Sequence, residues 1–169
     1  MKVRDATTGD RDALVDLVLR CDATYRDWAG PDLRLPRRDE EMAHWHRRFA
    51  DPVQRIRVAE IDGAVVGTCA WTQARKGHGV GPAIQGRAHV SAVFVDPGHW
   101  RKGIAARLLG EALAAMSDAG FDSAQLWTPE GAPARRFYEA GGWTLTGDTL
   151  HMAELNLPLV MYARPITRT

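Results

Sequence analysis

The chain has 169 residues, of which 45% are hydrophobic and 25% are charged, a balance typical of one globular domain. Its 22 Lys and Arg residues face 21 Asp and Glu residues, and the formal net charge of +1 argues against a general binder of nucleic acid or of membrane surfaces. No run reaches the roughly 18 apolar residues of a membrane span.

Hydrophobic periodicity predicts a single mixed α/β domain over residues 1–169. The first half is predicted to contain a strand at 1–6, helices at 10–21 and 39–49, and strands at 55–61 and 64–72. The second half is predicted to contain strands at 88–95, 123–128, 143–147 and 157–163, and helices at 101–119 and 134–140. The stretch between them, residues 73–86, holds four glycines and a proline, which predicts a flexible connection.

Cysteine usage and the N-terminus bear on location. The two cysteines, Cys21 and Cys69, lack the spacing of a metal site, and we expect free thiols in a reducing compartment. The first ten residues show no apolar signal segment. We therefore expect a cytoplasmic protein, and the absence of an HExxH or comparable set predicts no metal.

Two cations stand at the start of the helix predicted from residue 101. The segment 95–109 reads VDPGHWRKGIAARLL, with Arg101 and Lys102 where the helix dipole disfavours positive charge. Unpaired backbone N–H groups at a helix start bind anions, and Gly103 leaves space for one. A solvent-facing basic turn is the other interpretation. A nucleoside-triphosphate loop is excluded, because Ile104 and Ala105 stand where Lys and Ser or Thr are needed.

Three features in order resemble GNAT-superfamily N-acetyltransferases. VFVDP at 93–97 and WRKGIA at 100–105 are similar to the family's V-x-P and R/Q-x-x-G-x-G/A segments. A leucine-rich helix follows, and ARRFYEAGGW at 134–143 resembles A-x-x-F-Y-x-x-x-G-F/W. The resemblance implies the GNAT fold, a mixed sheet of about seven strands that splays at the cofactor and is flanked by about four helices. Trp100 departs from the usual Arg or Gln.

The resemblance also implies acetyl-CoA as donor. Its pyrophosphate is expected on the N–H groups of residues 101–106, and its pantetheine arm along Val93 and Val95. The implied cofactor-binding residues are Val93, Phe94, Val95, Trp100, Arg101, Lys102, Gly103, Ile104, Ala105, Ala106 and Tyr138.

Acetyl transfer to an amine benefits from a proton donor for the departing thiolate and an acceptor for the amine proton. Tyr138 lies where family members often aim a hydroxyl at the cofactor sulfur, although a packing tyrosine is the alternative. His89 falls near a position at which some members carry a catalytic Glu or His, and a water chain is the alternative base. Strand alternation places His89, Ser91, Val93 and Val95 on one face and Val90, Ala92 and Phe94 on the other.

The acceptor pocket is predicted where the family often builds it, from the first two helices and the connection between the third and fourth strands. We expect Tyr25, Trp28 and Trp71 to line it, with 73–86 as a lid or a surface loop. A small-molecule primary amine is the favoured acceptor. The alternatives are a protein or peptide amine, and a non-catalytic acyl-CoA sensor.

The sequence also bears on nucleic acid as a partner and on self-association. Nucleic-acid binding through 44–49 is disfavoured, because the helical period turns Trp45 and Phe49 inward and the arginines to solvent. A homodimer is allowed through the apolar stretch 155–162.

Overall fold

The predicted order of strands and helices is confirmed in a computed structural model, which describes residues 1–167. The strands are β1 (Lys2–Asp5), β2 (Arg55–Ile61), β3 (Ala64–Arg75), β4 (Ala83–Val95), β5 (Ser123–Pro129), β6 (Thr144–Met152) and β7 (Leu157–Pro165). The helices are α1 (Arg11–Ala23), α2 (Arg38–Ala50), α3 (Ile104–Asp118) and α4 (Ala134–Ala140).

Alternating side chains along the strands build one core on each face of the sheet. Val58 and Ala70 point towards α1 and α2, whereas their chain neighbours Ala59 and Cys69 point towards α3. On α1 the apolar stripe that predicted the helix is fully buried. The sheet therefore has α1 and α2 on one side and α3 on the other.

The sheet has the strand order β1-β2-β3-β4-β5-β7-β6. Every pairing among the described residues is antiparallel except β4 with β5, which α3 connects as a crossover. The last strand, β7, lies between β5 and β6, and its Leu157, Leu159, Val160 and Tyr162 are buried inside the protomer. Much of the stretch 155–162 therefore packs in the chain's own core, and the homodimer stays a prediction.

The β4–β5 ladder ends early. It joins residues 87–90 to residues 123–126, although β4 continues to Val95 and β5 to Pro129. Beyond Val90 the two strands separate, and we call this opening the β4–β5 gap. The expected splay of the sheet is thus present next to residues 91–95.

A bulge at Ser91 changes the faces of β4. Ala92 pairs with Ala70 but Val90 pairs with Trp71, so Ser91 is the extra residue. Val90 therefore packs on the α3 side together with Val93 and Val95, whereas Ala92 and Phe94 pack against α1 and α2. The prediction that Val90 shares a face with Ala92 and Phe94 was wrong, because uninterrupted alternation was assumed.

Half of the connection predicted at 73–86 is strand. β3 continues to Arg75 and β4 begins at Ala83, which leaves only residues 76–82 as a tight turn closed by Gly81 N–H to Lys76 O at 2.9 Å. Gln73 replaces ladder bonds lost at an irregularity, since its Nε2 donates to the carbonyls of Ile84 (2.7 Å) and Arg87 (2.9 Å). The hydrogen bonds of this side-chain amide therefore order a segment whose glycines had predicted flexibility.

Candidate active site

The start of α3 presents a row of unpaired backbone donors. The first N–H of α3 to bond a backbone carbonyl is that of Arg107, to Gly103 O at 3.0 Å, and before it Trp100 N–H reaches Pro97 O at 3.4 Å. Between them the N–H groups of 101–106, here called the α3 mouth, find no acceptor within the described chain. Six free donors at a helix start form an anion site.

Backbone conformation keeps the α3 mouth open. Arg101 has φ 63° and Gly103 has φ 75°, which turns successive N–H groups towards one side. A Cβ atom built at Gly103 would meet nothing within 4 Å. Arg101 and Lys102 are exposed and add positive charge, so the sequence prediction of a bulky anion fits the geometry found there.

The edge of β4 in the β4–β5 gap also has free backbone groups. Asp96 N–H donates to Val66 O at 2.9 Å, so the alternation of the ladder turns the Val93 and Val95 backbone to the gap. The Val95 carbonyl is already occupied by Cys21 Sγ (3.2 Å) and Trp100 Nε1 (2.7 Å). Val93 therefore offers both its groups to an extended ligand, and the unexpected Trp100 caps the strand end with its indole.

A cavity of about 540 Å³ lies beside the gap and is called the central cavity. Its walls come from α1 and the turn after it, α2, β4, β5, α4 and the segment before β7. Six of the predicted site residues line it: Tyr25, Trp28, Val93, Phe94, Trp100 and Tyr138. The structure therefore brings the predicted aromatic wall and the predicted acid to one space.

Tyr138 is the predicted acid. Its side chain is 7% exposed and packs edge-on against Phe137 and Trp143, with ring centroids 5.3 and 6.2 Å away. No described side chain bonds its hydroxyl, and burial raises the pKa of the phenol above its ordinary value. The hydroxyl therefore stays protonated at neutral pH and is available as a donor.

Asp22 is a cavity residue that the sequence reading missed. It is 4% exposed, and its carboxylate has no hydrogen-bond or ion-pair partner in residues 1–167. Burial, and secondarily the charge of Glu41, raises the pKa of Asp22 to about 7. A signal did exist, because Leu14, Val18 and Asp22 follow one another at i, i+4 spacing on the apolar stripe of α1.

Arg48 is the cation among the described residues that line the cavity. It donates to His44 Nε2 (2.8 Å), Ser91 Oγ (2.6 Å) and Ser91 O (2.9 Å), and it lies over the Trp45 ring at 5.1 Å. Burial lowers the pKa of Arg48 to about 10 and, with the Arg48 charge second, that of His44 to about 4. The sequence reading had placed Arg48 in solvent.

Two predicted residues lie outside the central cavity. Trp71 is 6% exposed and belongs to the core on the α3 side, not to the wall that holds Tyr25 and Trp28. His89 lines a second cavity of about 590 Å³, next to the 76–82 turn and His78. Burial, with a contribution from Arg48, lowers the pKa of His89 to about 4, so the imidazole is neutral and weakly basic. The bulge at Ser91 leaves His89 on the face of β4 opposite to Val93.

A family model described as the Acetyltransferase (GNAT) family matches residues 22–143. The chain belongs to this family. It is therefore an acyltransferase, and its fold and family agree with the prediction made from the loop and helix motifs. A search of curated protein sequences finds no match.

Solved structures of this family share the fold over nearly the whole chain. An N-acetyltransferase from Staphylococcus aureus Mu50 is 19% identical over 98% of both chains, with a TM-score of 0.74. A ribosomal-protein-alanine N-acetyltransferase from Brucella melitensis is 21% identical over 98% of this chain and 99% of its own, with a TM-score of 0.71. An acetyltransferase from Salmonella typhimurium with its cofactor acetyl-CoA is 19% identical over 100% of this chain and 95% of its own, with a TM-score of 0.70.

Neither a membrane-spanning helix nor a metal-binding cluster is found among residues 1–167. Across residues 1–167, no helix has the length and apolar character needed to cross a membrane. Over the same residues, no three His, Cys, Asp or Glu side chains come together in a group that could hold a metal ion.

Proposed function

We propose that the protein is an N-acetyltransferase that moves the acetyl group of acetyl-CoA to a primary amine of a small molecule, with donor and acceptor bound together. One observation carries this proposal. The unpaired donors of the α3 mouth continue along the free edge of Val93 into a cavity that contains a buried, protonated Tyr138.

The α3 mouth and β4 fit the two polar parts of acetyl-CoA. The N–H groups of 101–106, with Arg101 and Lys102, suit the pyrophosphate, and the open space at Gly103 admits it. The Val93 backbone suits an amide-containing arm in the gap. The thioester supplies an activated acetyl group, and the solved Salmonella relative contains this cofactor.

Tyr138 supplies the proton needed by the departing sulfur. Its hydroxyl lines the cavity and has no partner among the described side chains, so its proton is not committed elsewhere. The neighbouring aromatic rings fix the direction of the phenol and exclude water, which favours transfer of the acetyl group to the amine over hydrolysis of the thioester.

The size of the central cavity supports a small acceptor. Its 540 Å³ lies within the range of ligand pockets for small molecules, and Tyr25 and Trp28 stack at 4.8 Å in its wall. A protein N-terminus is the second candidate, because the Brucella relative is a ribosomal-protein-alanine acetyltransferase. We also propose a cytoplasmic location, in keeping with the two buried free cysteines.

Gly103→Glu tests the donor site. The carboxylate would project into the open space at the α3 mouth, where it repels the pyrophosphate. We expect acetyl-CoA affinity to fall by about a hundredfold or more in calorimetric titration, since one pair of like charges there costs several kcal/mol. Stability should fall only by the roughly 1–2 kcal/mol that a positive φ costs a residue with a side chain, because no neighbouring atom lies within 4 Å of the new Cβ.

Two variants control for the strain and the charge of that substitution. Gly103→Ala imposes the same positive-φ strain without charge, and Gly110→Glu adds the same charge on α3 at a glycine with equally open surroundings. Gly110→Glu should bind acetyl-CoA normally, and Gly103→Ala should lose far less affinity than Gly103→Glu. Tight binding by Gly103→Glu would exclude the α3 mouth as the pyrophosphate site, and thiol release with peptides but not small amines would assign a protein acceptor.

A further inference from the structure

We infer that Asp22 binds the reacting ammonium group of the acceptor and takes its proton, and that the acceptor is a small amine with at least two positive charges. This inference rests on the proposed acetyl transfer to an amine and specifies the substrate class of the same cavity.

Asp22 is a buried carboxylate without a partner. Only 4% of the residue is exposed, and no donor in residues 1–167 reaches its oxygens. A buried charge without a counter-charge is costly, so proteins pair such groups with a ligand, a metal or another side chain. Since Asp22 lines the central cavity, a cation bound there is the partner that its position provides for.

The rest of the cavity has an excess of negative charge. Asp27, Glu41 and Glu154 also line it, and none of the three forms an ion pair within the described chain. Arg48 is the cation that faces them from the described wall; it donates to His44 and Ser91, and its charge acts on that of Glu41. Three carboxylates against one cation leave a net negative charge, which favours an acceptor with a second positive charge over a monoamine or an amino acid.

The apolar wall specifies the body of the acceptor. Tyr25, Trp28 and Phe94 line the same cavity as the acidic groups. Aromatic faces accommodate alkyl chains and attract ammonium groups. A linear alkyl diamine has both parts, and it is small enough for a 540 Å³ cavity.

The position of Asp22 fits it to receive the amine proton. The ammonium nitrogen gives one proton to the Asp22 carboxylate and uses the freed electron pair to bond the acetyl carbon, while the bond from that carbon to sulfur breaks. Tyr138 gives its hydroxyl proton to the sulfur, and the second proton of the nitrogen restores the phenol. Asp22 releases its proton to solvent when the acetylated amine leaves.

The titration of Asp22 supports this role. With a pKa of about 7 the side chain is partly ionised at neutral pH, as an effective base should be. The titratable groups next to it are Cys21 on α1, Tyr25 in the following turn and Glu41 on α2. The groups across the cavity are Asp27, His44, Arg48, Tyr138 and Glu154.

The test compares Asp22→Asn with wild type on 1,4-diaminobutane and on butylamine, by thiol release from acetyl-CoA. Wild type should prefer the diamine by about tenfold or more in kcat/KM, the effect of one further charge contact. Asp22→Asn should lower kcat/KM for the diamine by about a hundredfold or more. The rise of kcat/KM with pH near neutrality should also vanish in this variant. Acetyl-CoA affinity should stay unchanged.

The controls separate the possible failures. Asp118→Asn makes the same change at an exposed position near the end of α3, and it should leave all of these values unaltered. Full activity and an unchanged pH profile in Asp22→Asn would overturn the inference, as would loss of the profile in His89→Gln instead. Equal kcat/KM for butylamine and the diamine would overturn the inference that the acceptor carries a second positive charge. Tight acetyl-CoA binding without thiol release from any amine would instead contradict the proposed function.

Discussion

Asp22 and Tyr138 are buried acids whose pKa values are both raised, with burial as the first cause, yet the outcomes differ. The pKa of Tyr138 moves further above neutrality, so its hydroxyl remains a donor, whereas that of Asp22 moves to about 7, so its carboxylate gains and loses a proton near neutral pH. Two groups in one cavity thus differ in protonation, as a donor and an acceptor must.

Tyr138→Phe should lower kcat by about tenfold to a thousandfold and leave acetyl-CoA affinity within about twofold, because it removes only a proton donor. Thiol release at saturating acetyl-CoA measures the first value and calorimetry the second.

Tyr162→Phe is the matched control for the tyrosine. Tyr162 packs against Tyr138 at 6.2 Å, but its hydroxyl donates to Glu139 at 2.6 Å and accepts from Arg135 at 2.9 Å. Its loss should reduce stability and spare kcat. Equal kcat in wild type and Tyr138→Phe would show that another group protonates the sulfur.

Asp22 should also make stability depend on pH. Its pKa rises from 3.8 to about 7 on folding, so between these values the folded protein binds more protons at this site than the unfolded chain. The stability that Asp22 contributes is therefore lost as pH rises through this window, by roughly 4 kcal/mol in all.

Unfolding in urea from pH 4.5 to 7.5 measures this effect, with Asp22→Asn as the reference. The unfolding free energy of the variant minus that of wild type should grow with pH. His44 and His89, whose pKa values burial lowers to about 4, oppose the trend in both proteins and cancel in the difference. A difference that is constant over this range would contradict the buried, unpaired state of Asp22.

The bulge in β4 is held by Arg48 of α2 and by Gln54 of the turn between α2 and β2. Arg48 and Gln54 donate to Ser91 Oγ at 2.6 and 2.9 Å, and Arg48 also bonds the Ser91 carbonyl. These bonds satisfy the extra residue that the ladder cannot pair, and they hold β4 at the point where it separates from β5. The helix that supplies Glu41 to the cavity therefore also sets the position of the β4–β5 gap.

Gly67→Ala tests how closely α3 packs on β3. An added Cβ would lie 3.0 Å from Leu108 Cδ1 and 3.2 Å from Ile104 Cγ2, so these two side chains of α3 must give way. We expect a loss of about 1–3 kcal/mol in unfolding free energy. Gly9→Ala is the control, because its nearest atom would be Thr7 Oγ1 at 3.5 Å. Equal stability of the two variants would show that α3 adjusts without cost.

At the scale of the whole molecule, the order of elements could be predicted because each strand and helix has its own hydrophobic period. The bulge could not be predicted, since β4 is apolar on both faces. A shift of its register by one residue therefore leaves both faces apolar, and the sequence gives no sign of it. His89 was misplaced for this reason, whereas Trp71, on β3, was assigned to the acceptor pocket from where the family often builds it. Asp22 is visible on the stripe of α1, but the absence of a partner is a property of the fold alone.

The position of β7 has a consequence for how the protein is made. Residues 93–106 and Asp22 leave the ribosome well before residues 157–165, yet β5 and β6 have no strand to join them until β7 arrives. In β7, Leu159 completes the wall of the cavity and Tyr162 packs against Tyr138. A nascent chain that stalls before β7 has every proposed reactive group, but the edge of β5 is unpaired. Such an edge can pair with other chains, so the incomplete protein is prone to aggregate.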